Sequence, residues 1–159
     1  MHPSAQKVVD AAQELGLTIE VAEFEQTTRT ADEAAAAIGC EVAQIVKSLC
    51  FSVNNEPVMA LVSGANLLDE RKLAALRGVG RKKVKRARAE MVKEATGFSI
   101  GGVPPFGHVS PMPIFIDQDL TNFEVVWAAA GTHNTVFPIQ SADLLRASGG
   151  ILADLKVDG

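Results

Sequence analysis

A chain of 159 residues, 47% hydrophobic and 21% charged, has the makeup of one globular domain, able to bury about 70% of its unfolded surface without a metal or disulfide. No apolar run approaches the ~20 residues of a membrane span. Met1-His2-Pro3-Ser4 lacks the basic-then-apolar order of a secretory signal, and Cys40 and Cys50 form neither a C-x-x-C pair nor half a zinc site. The expectation is a cytoplasmic protein with reduced, packed cysteines, no membrane association and no metal.

In chain order, Ser4 to Leu15 places Val8, Ala11, Ala12 and Leu15 at helical spacing, with Gly16 as the stop. Thr18 to Phe24 alternates with period two and reads as a strand. Thr30 is an N-cap with Glu33 as its capping-box partner, which predicts a helix over Ala31 to Ile38 ending at Gly39. Ile45 to Val53 and Pro57 to Ser63 are β-rich runs joined by Asn54-Asn55-Glu56, an antiparallel hairpin. Leu67 to Leu76 is helical up to Gly78. Lys83 to Ala87 is a short strand and Ala89 to Ala95 a short helix. Pro113 to Ile116, Phe123 to Ala130 and Thr135 to Phe137 are strands, the last two joined by the turn Gly131 to Asn134. Ser141 caps a final helix, Ala142 to Ala147, ended by Gly149-Gly150. Strands and helices mix without a βαβ period, so the class is mixed α/β (α+β): one domain over residues 1–159, a mostly antiparallel mixed sheet with flanking helices.

The segment Thr96 to His108, T-G-F-S-I-G-G-V-P-P-F-G-H, is the most informative stretch. Its four glycines remove Cβ where a ligand could approach, and Pro104 and Pro105 fix φ and delete two amide donors. An ordinary punctuated loop has the same composition. Charge is also uneven. The net charge of −4 opposes general nucleic-acid coating, yet Arg81, Lys82, Lys83, Lys85, Arg86 and Arg88 hold six of fifteen basic residues. Such a stripe could meet a phosphate backbone or could keep a strand edge soluble.

Three features could carry chemistry. Alternation puts Lys47 on the apolar strand face of Ile45, Leu49 and Phe51, so its ammonium must snorkel past an edge, pair with an acid, or line a wet cleft that receives an anion. Gly101-Gly102 and Gly131-Thr132 can offer backbone N–H groups to a carbonyl oxygen that gains negative charge. His133, at a predicted strand end, could act as a general base or hydrogen-bond its turn, and His108 is open to the same two readings. There is no G-x-S-x-G elbow, H-E-x-x-H, Walker A loop or G-x-G-x-x-G, and neither cysteine has an activating base in view.

In order, T-A-D-E-A-A-A-A-I-G-C (Thr30 to Cys40), I-V-K-S-L (Ile45 to Leu49), V-S-G-A-N (Val62 to Asn66), the Thr96 to His108 segment and W-A-A-A-G-T-H (Trp127 to His133) resemble the YbaK/EbsC family. That family also occurs as the prolyl-tRNA synthetase-associated editing domain. The likeness spans roughly Ser4 to Gly149. It implies a trans-acting aminoacyl-tRNA deacylase, without cofactor or metal, whose partners are aminoacyl-tRNA and prolyl-tRNA synthetase. It also implies that Lys47 is the strand lysine beside the substrate, Gly101-Gly102 the pocket loop, and Gly131, Thr132 and His133 the second pocket turn, His133 transferring least securely. V-P-P-F-G-H is closer to the branches that edit alanine and other small residues than to the cysteine-specific one. The stripe Arg81 to Arg88 would face the acceptor stem.

Chemistry fits this without a nucleophile motif. An aminoacyl ester is already activated, so orienting one water and polarising the carbonyl with backbone N–H groups suffices. The alternatives are a noncatalytic tRNA-binding module docked on a synthetase, and a small-molecule pocket protein with no RNA role.

Overall fold

The computed structural model describes residues 1–25 and 30–158. In chain order the elements are α1 (Pro3–Glu14), β1 (Ala22–Glu23), α2 (Ala31–Ile38), the long hairpin β2 (Val46–Val53) and β3 (Glu56–Ser63), α3 (Glu70–Arg77), β4 (Val84–Arg86), α4 (Ala89–Thr96), β5 (Ile114–Asp117), β6 (Val125–Ala129), β7 (Thr135–Gln140), α5 (Ser141–Ser148) and β8 (Ile151–Ala153). Among the described residues, no helix is long and apolar enough to cross a membrane. The class is α+β, as expected.

Two ladders divide the strands. One has the order β4-β2-β3-β5-β8, antiparallel on the β4 side and parallel from β3 to β8, and the other is antiparallel β1-β7-β6. A parallel bridge between Ile45 and Trp127 joins them. The hairpin turns on Asn54 and Asn55, both at positive φ (51° and 68°). Asparagine tolerates that region better than other side chains, which is why a two-residue turn forms here.

The central strands are buried on both faces. Val46, Cys50, Met59, Leu61 and Ile116 pack on one side with Val8, Phe98, Phe106 and Phe137. Phe51, Val53, Val58, Ala60 and Val62 pack on the other with Leu73 and Leu155. Alternation therefore holds along β2, with Lys47 on the Phe51 side, as the spacing predicts.

Four expectations need correction. From Thr18 to Phe24 only Ala22 and Glu23 form ladder pairs, with Val136 and Thr135 of β7, although Leu17, Ile19 and Val21 do pack on the core; the period is real but β7 lies alongside only the end of the stretch. The third helix begins at Glu70, because the Asp69 side chain caps Arg71 N and the residues before it pair with the C-terminal tail. Ser141 is the first helical residue; Gln140 holds the cap position and makes no side-chain capping bond. Strand β8 is additional to the expected set, since its three residues carry too little pattern to read. The Thr30 cap, by contrast, is present: its Oγ1 accepts from Glu33 N at 3.1 Å, and Gly39 closes the helix at φ 85°.

Candidate active site

A cavity of about 260 Å³ opens where the two sheets diverge. Ile45, just before β2, is bridged to Trp127, and β2 is paired with β4 from Phe51 onward; between these points its outer edge has no ladder neighbour among the described residues. The gap is the cavity. Lys47 and Leu49 of β2, Arg86 of β4, Trp127 of β6, Ile100 and Gly101 of the long loop, and Thr132 and His133 of the second turn contribute to its wall, together with Ala31 and Ala34 of α2 and its cap Thr30.

The two glycine turns meet. A Cβ on Gly102 would lie 2.7 Å from the Gly131 carbonyl oxygen and 2.8 Å from Thr132 Cα, and one on Gly131 would lie 2.5 Å from the Ser4 carbonyl oxygen. Both positions require glycine because backbone passes against backbone. Gly101 has φ 93° and faces His133, whose Cβ would be 3.8 Å from an added Cβ. Gly102 and Gly131 thus sit behind the wall and hold it, while Gly101, Thr132 and exposed His133 line it.

Of the expected backbone donors, two are already engaged. Gly102 N–H donates to Ser99 O at 3.0 Å, and Thr132 N–H to Thr135 Oγ1 at 3.3 Å. Among the described residues the Gly101 N–H, which lies at the wall, has no acceptor in its own turn. Thr132 Oγ1 is tied to Thr135 Oγ1 (2.6 Å) and Asn134 Oδ1 (2.8 Å), which fixes the second turn. The loop is anchored by buried Thr96, whose Oγ1 donates toward Val92 O and accepts from Phe98 N. His108 lies away from the cavity, its Nε2 2.7 Å from Pro104 O, and serves the loop.

Lys47 is half-buried, and its Nζ donates to the backbone carbonyl of Asn66 at 2.5 Å. Of the three arrangements open to it, it takes the cleft wall. Burial pushes its pKa below the ordinary lysine value, Asp117 and Asp32 push back up, and Arg86 adds to the depression. Asp117, 1% exposed, accepts from Ser63 N (3.0 Å), Asn66 Nδ2 (2.8 Å) and Asp119 N (2.9 Å). Asn66 Nδ2 also reaches Asp119 Oδ2 at 2.9 Å, which Lys156 Nζ meets at 3.0 Å. Sequence reasoning assigns no role to Asn66 or Asp117; a carboxylate ending the apolar run Ile114 to Ile116 is the available signal.

Of the basic stripe, only Arg86 reaches the cavity, its guanidinium 5.4 Å from the Phe51 ring centre. Arg81 pairs with Glu70 at 2.7 Å. Lys82, Lys83, Lys85 and Arg88 are exposed, with Lys85 on edge strand β4.

The cavity thus combines one half-buried lysine with a glycine turn and the Thr132 to His133 turn, on a mixed α+β scaffold. A profile of the aminoacyl-tRNA editing domain matches residues 25–147, and the chain belongs to that family. The YbaK-like resemblance is thereby borne out. The chain is 31% identical over 130 residues to the uncharacterized protein YwhH of Bacillus subtilis (strain 168), covering 81% of each. It is 39% identical over 100 residues to a proline–tRNA ligase of Maridesulfovibrio salexigens, which is 63% of this chain but only 17% of the ligase. A crystal structure described as that of a candidate trans-editing enzyme for prolyl tRNA synthetase superposes with a TM-score of 0.93, at 44% identity over 99% of both chains.

Proposed function

We propose that this protein is a trans-acting aminoacyl-tRNA deacylase that hydrolyses the ester of a mischarged tRNA, a small amino acid on proline tRNA. The observation that carries the reading is the convergence of Lys47 with Gly101 and the Thr132 to His133 turn on one cavity, in a chain of the editing family. In this mechanism the aminoacyl group enters the cavity and the terminal ribose sits at its mouth. Lys47 holds an oxygen of the terminal nucleotide through its ammonium protons, and the Gly101 N–H donates to the carbonyl oxygen as negative charge develops. Water adds to the carbonyl carbon, the carbon–oxygen bond to the ribose breaks, and the departing ribose oxygen takes a proton, assisted by its vicinal hydroxyl. The products are free amino acid and uncharged tRNA.

A cavity of this size selects by volume. One methylene is worth about 1–3 kcal/mol, so discrimination among small amino acids is incomplete. The exposed stripe of Lys82, Lys83, Lys85 and Arg88 supplies nonspecific attraction to the acceptor stem, with Arg86 where stripe and cavity join. Prolyl-tRNA synthetase is the partner this reading implies.

The test is deacylation of proline tRNA, and its cognate-charged counterparts, carrying Ala, Cys, Ser, Thr or Pro, by wild type and Lys47→Ala. Selective hydrolysis of one or two mischarged species, lost in the folded variant, is expected. Salt-dependent tRNA binding with no hydrolysis of any intact aminoacyl-tRNA would instead make the chain a noncatalytic tRNA-binding module.

A further inference from the structure

Lys47 and Asp117 lie on the same face and at the same end of the five-stranded sheet, on strands flanking β3. Lys47 pairs with Val62, and Asp117 follows Ile116, the partner of Leu61. Asn66 spans the gap between them. Its carbonyl receives the Lys47 ammonium and its carboxamide donates to Asp117 and Asp119. The turn that carries Asn66 is itself fixed. Ser63 N–H donates to Asp117, Ser63 Oγ donates to Ala43 O at 2.7 Å, Gly64 N–H donates to Ile45 O at 2.7 Å, and a Cβ on Gly64 would collide with the Val42 carbonyl oxygen.

We propose that Asn66 and Asp117 are positioning residues for Lys47: the buried Asp117 carboxylate, with Asp119, clamps the Asn66 side chain, and Asn66 thereby aims its carbonyl at Nζ and fixes the ammonium at the cavity wall. Three physical points support this. A lysine stem is flexible, and an ammonium has three donors, so tethering one sets the direction of the other two. A buried carboxylate needs donors around it, and Asp117 has three, one of them the group that leads to Lys47. Asp117 also provides the main electrostatic opposition to the desolvation of Lys47; Asp32 of α2 adds to it, and Arg86 of β4 works against it. The V-S-G-A-N segment is thus the frame of the catalytic lysine, an arrangement that deepens the deacylase reading and rests on it for its consequence in catalysis.

The primary variant is Asn66→Ala, which removes the clamped carboxamide but keeps the backbone carbonyl. Asp117→Asn is the second, judged only if its thermal transition shows a folded protein, because it also weakens the acceptors for Ser63 and Asp119. Two measurements decide. Lys47, labelled with ¹³C at Cε and assigned by comparison with Lys47→Ala, is titrated by NMR without substrate. Its pKa is expected to fall in Asn66→Ala, which loosens a bond to the charged form, and in Asp117→Asn, which deletes the opposing charge; an unchanged Lys47 shift and titration in folded Asn66→Ala overturns the proposal. Single-turnover deacylation is then expected to drop about tenfold in Asn66→Ala, the effect of one misdirected charge-assisted hydrogen bond, with tRNA affinity retained. Placed on Lys47→Ala, the same change should cost nothing more; a second full loss there would mean that Asn66 acts independently of Lys47. If wild type hydrolyses no aminoacyl-tRNA, the function reading fails, while the titration still decides the positioning.

Discussion

Gly102 and Gly131 touch through their backbones: the space where a Gly102 Cβ would stand lies 2.7 Å from the Gly131 carbonyl oxygen. This contact, between residues 29 positions apart, brings the proline-rich loop and the β6–β7 turn onto one cavity. Gly102→Ala must push the two turns apart. Its expected cost is about 1–3 kcal/mol of stability, as for overpacking in general, with a larger proportional loss of deacylation. Gly101→Ala meets no atom closer than 3.8 Å, but its φ of 93° strains any side chain. Thermal unfolding and turnover of both variants check the pair; a stable, fully active Gly102→Ala would show that the contact can relax.

Lys47 costs the fold something. Its pKa lies below the ordinary lysine value chiefly through burial, so the native state binds this proton less readily than the unfolded chain does. The penalty is fully present below the folded pKa and fades as pH rises toward 10.5. Replacing the ammonium by an apolar chain of similar length, Lys47→Met, should therefore raise the melting temperature at pH 7 while abolishing hydrolysis. A melting temperature several degrees lower would mean that the bond to Asn66 outweighs the desolvation.

His108 gives the pocket loop a pH dependence. Burial lowers its pKa below 6.5, only partly offset by its bond to the Pro104 carbonyl. In the window from pH 6.5 down to the folded pKa, the unfolded state holds more protons, so stability falls as the pH falls and the loss is complete below that pKa. His108→Gln keeps an amide donor for Pro104 without the titration. Melting curves between pH 7 and pH 5 should fall less for the variant than for wild type; parallel curves would remove His108 from the acid response.

Electrostatic attraction to tRNA should reside in the exposed lysines. Arg81 is engaged with Glu70, whereas Lys82, Lys83 and Lys85 are exposed. Replacing these three by glutamine should reduce the slope of log affinity against log salt by roughly one for each phosphate no longer neutralised, and change the deacylation rate of bound tRNA little. An unaltered slope would put the tRNA interface on another face.

Local chemistry was legible wherever the signal was local. The Thr30 cap, the Gly39 and Gly78 stops and the alternation that sets Lys47 among Leu49 and Phe51 depend on a few neighbouring residues, and all appear where the spacing predicts. The family resemblance came from the order of short motifs and needed no fold. Only the tertiary structure decided the rest. The period-two stretch after α1 packs on the core but pairs over two residues, because pairing requires a neighbouring strand that a pattern cannot supply. Whether two glycine turns meet, which of their N–H groups their own turns consume, and that Asn66 joins Lys47 to Asp117 across 70 residues of sequence are properties of sheet order and register. Sequence determines which groups are available, by type and by local period; the distances between them follow from which strands pair, and that is a balance struck over the whole core.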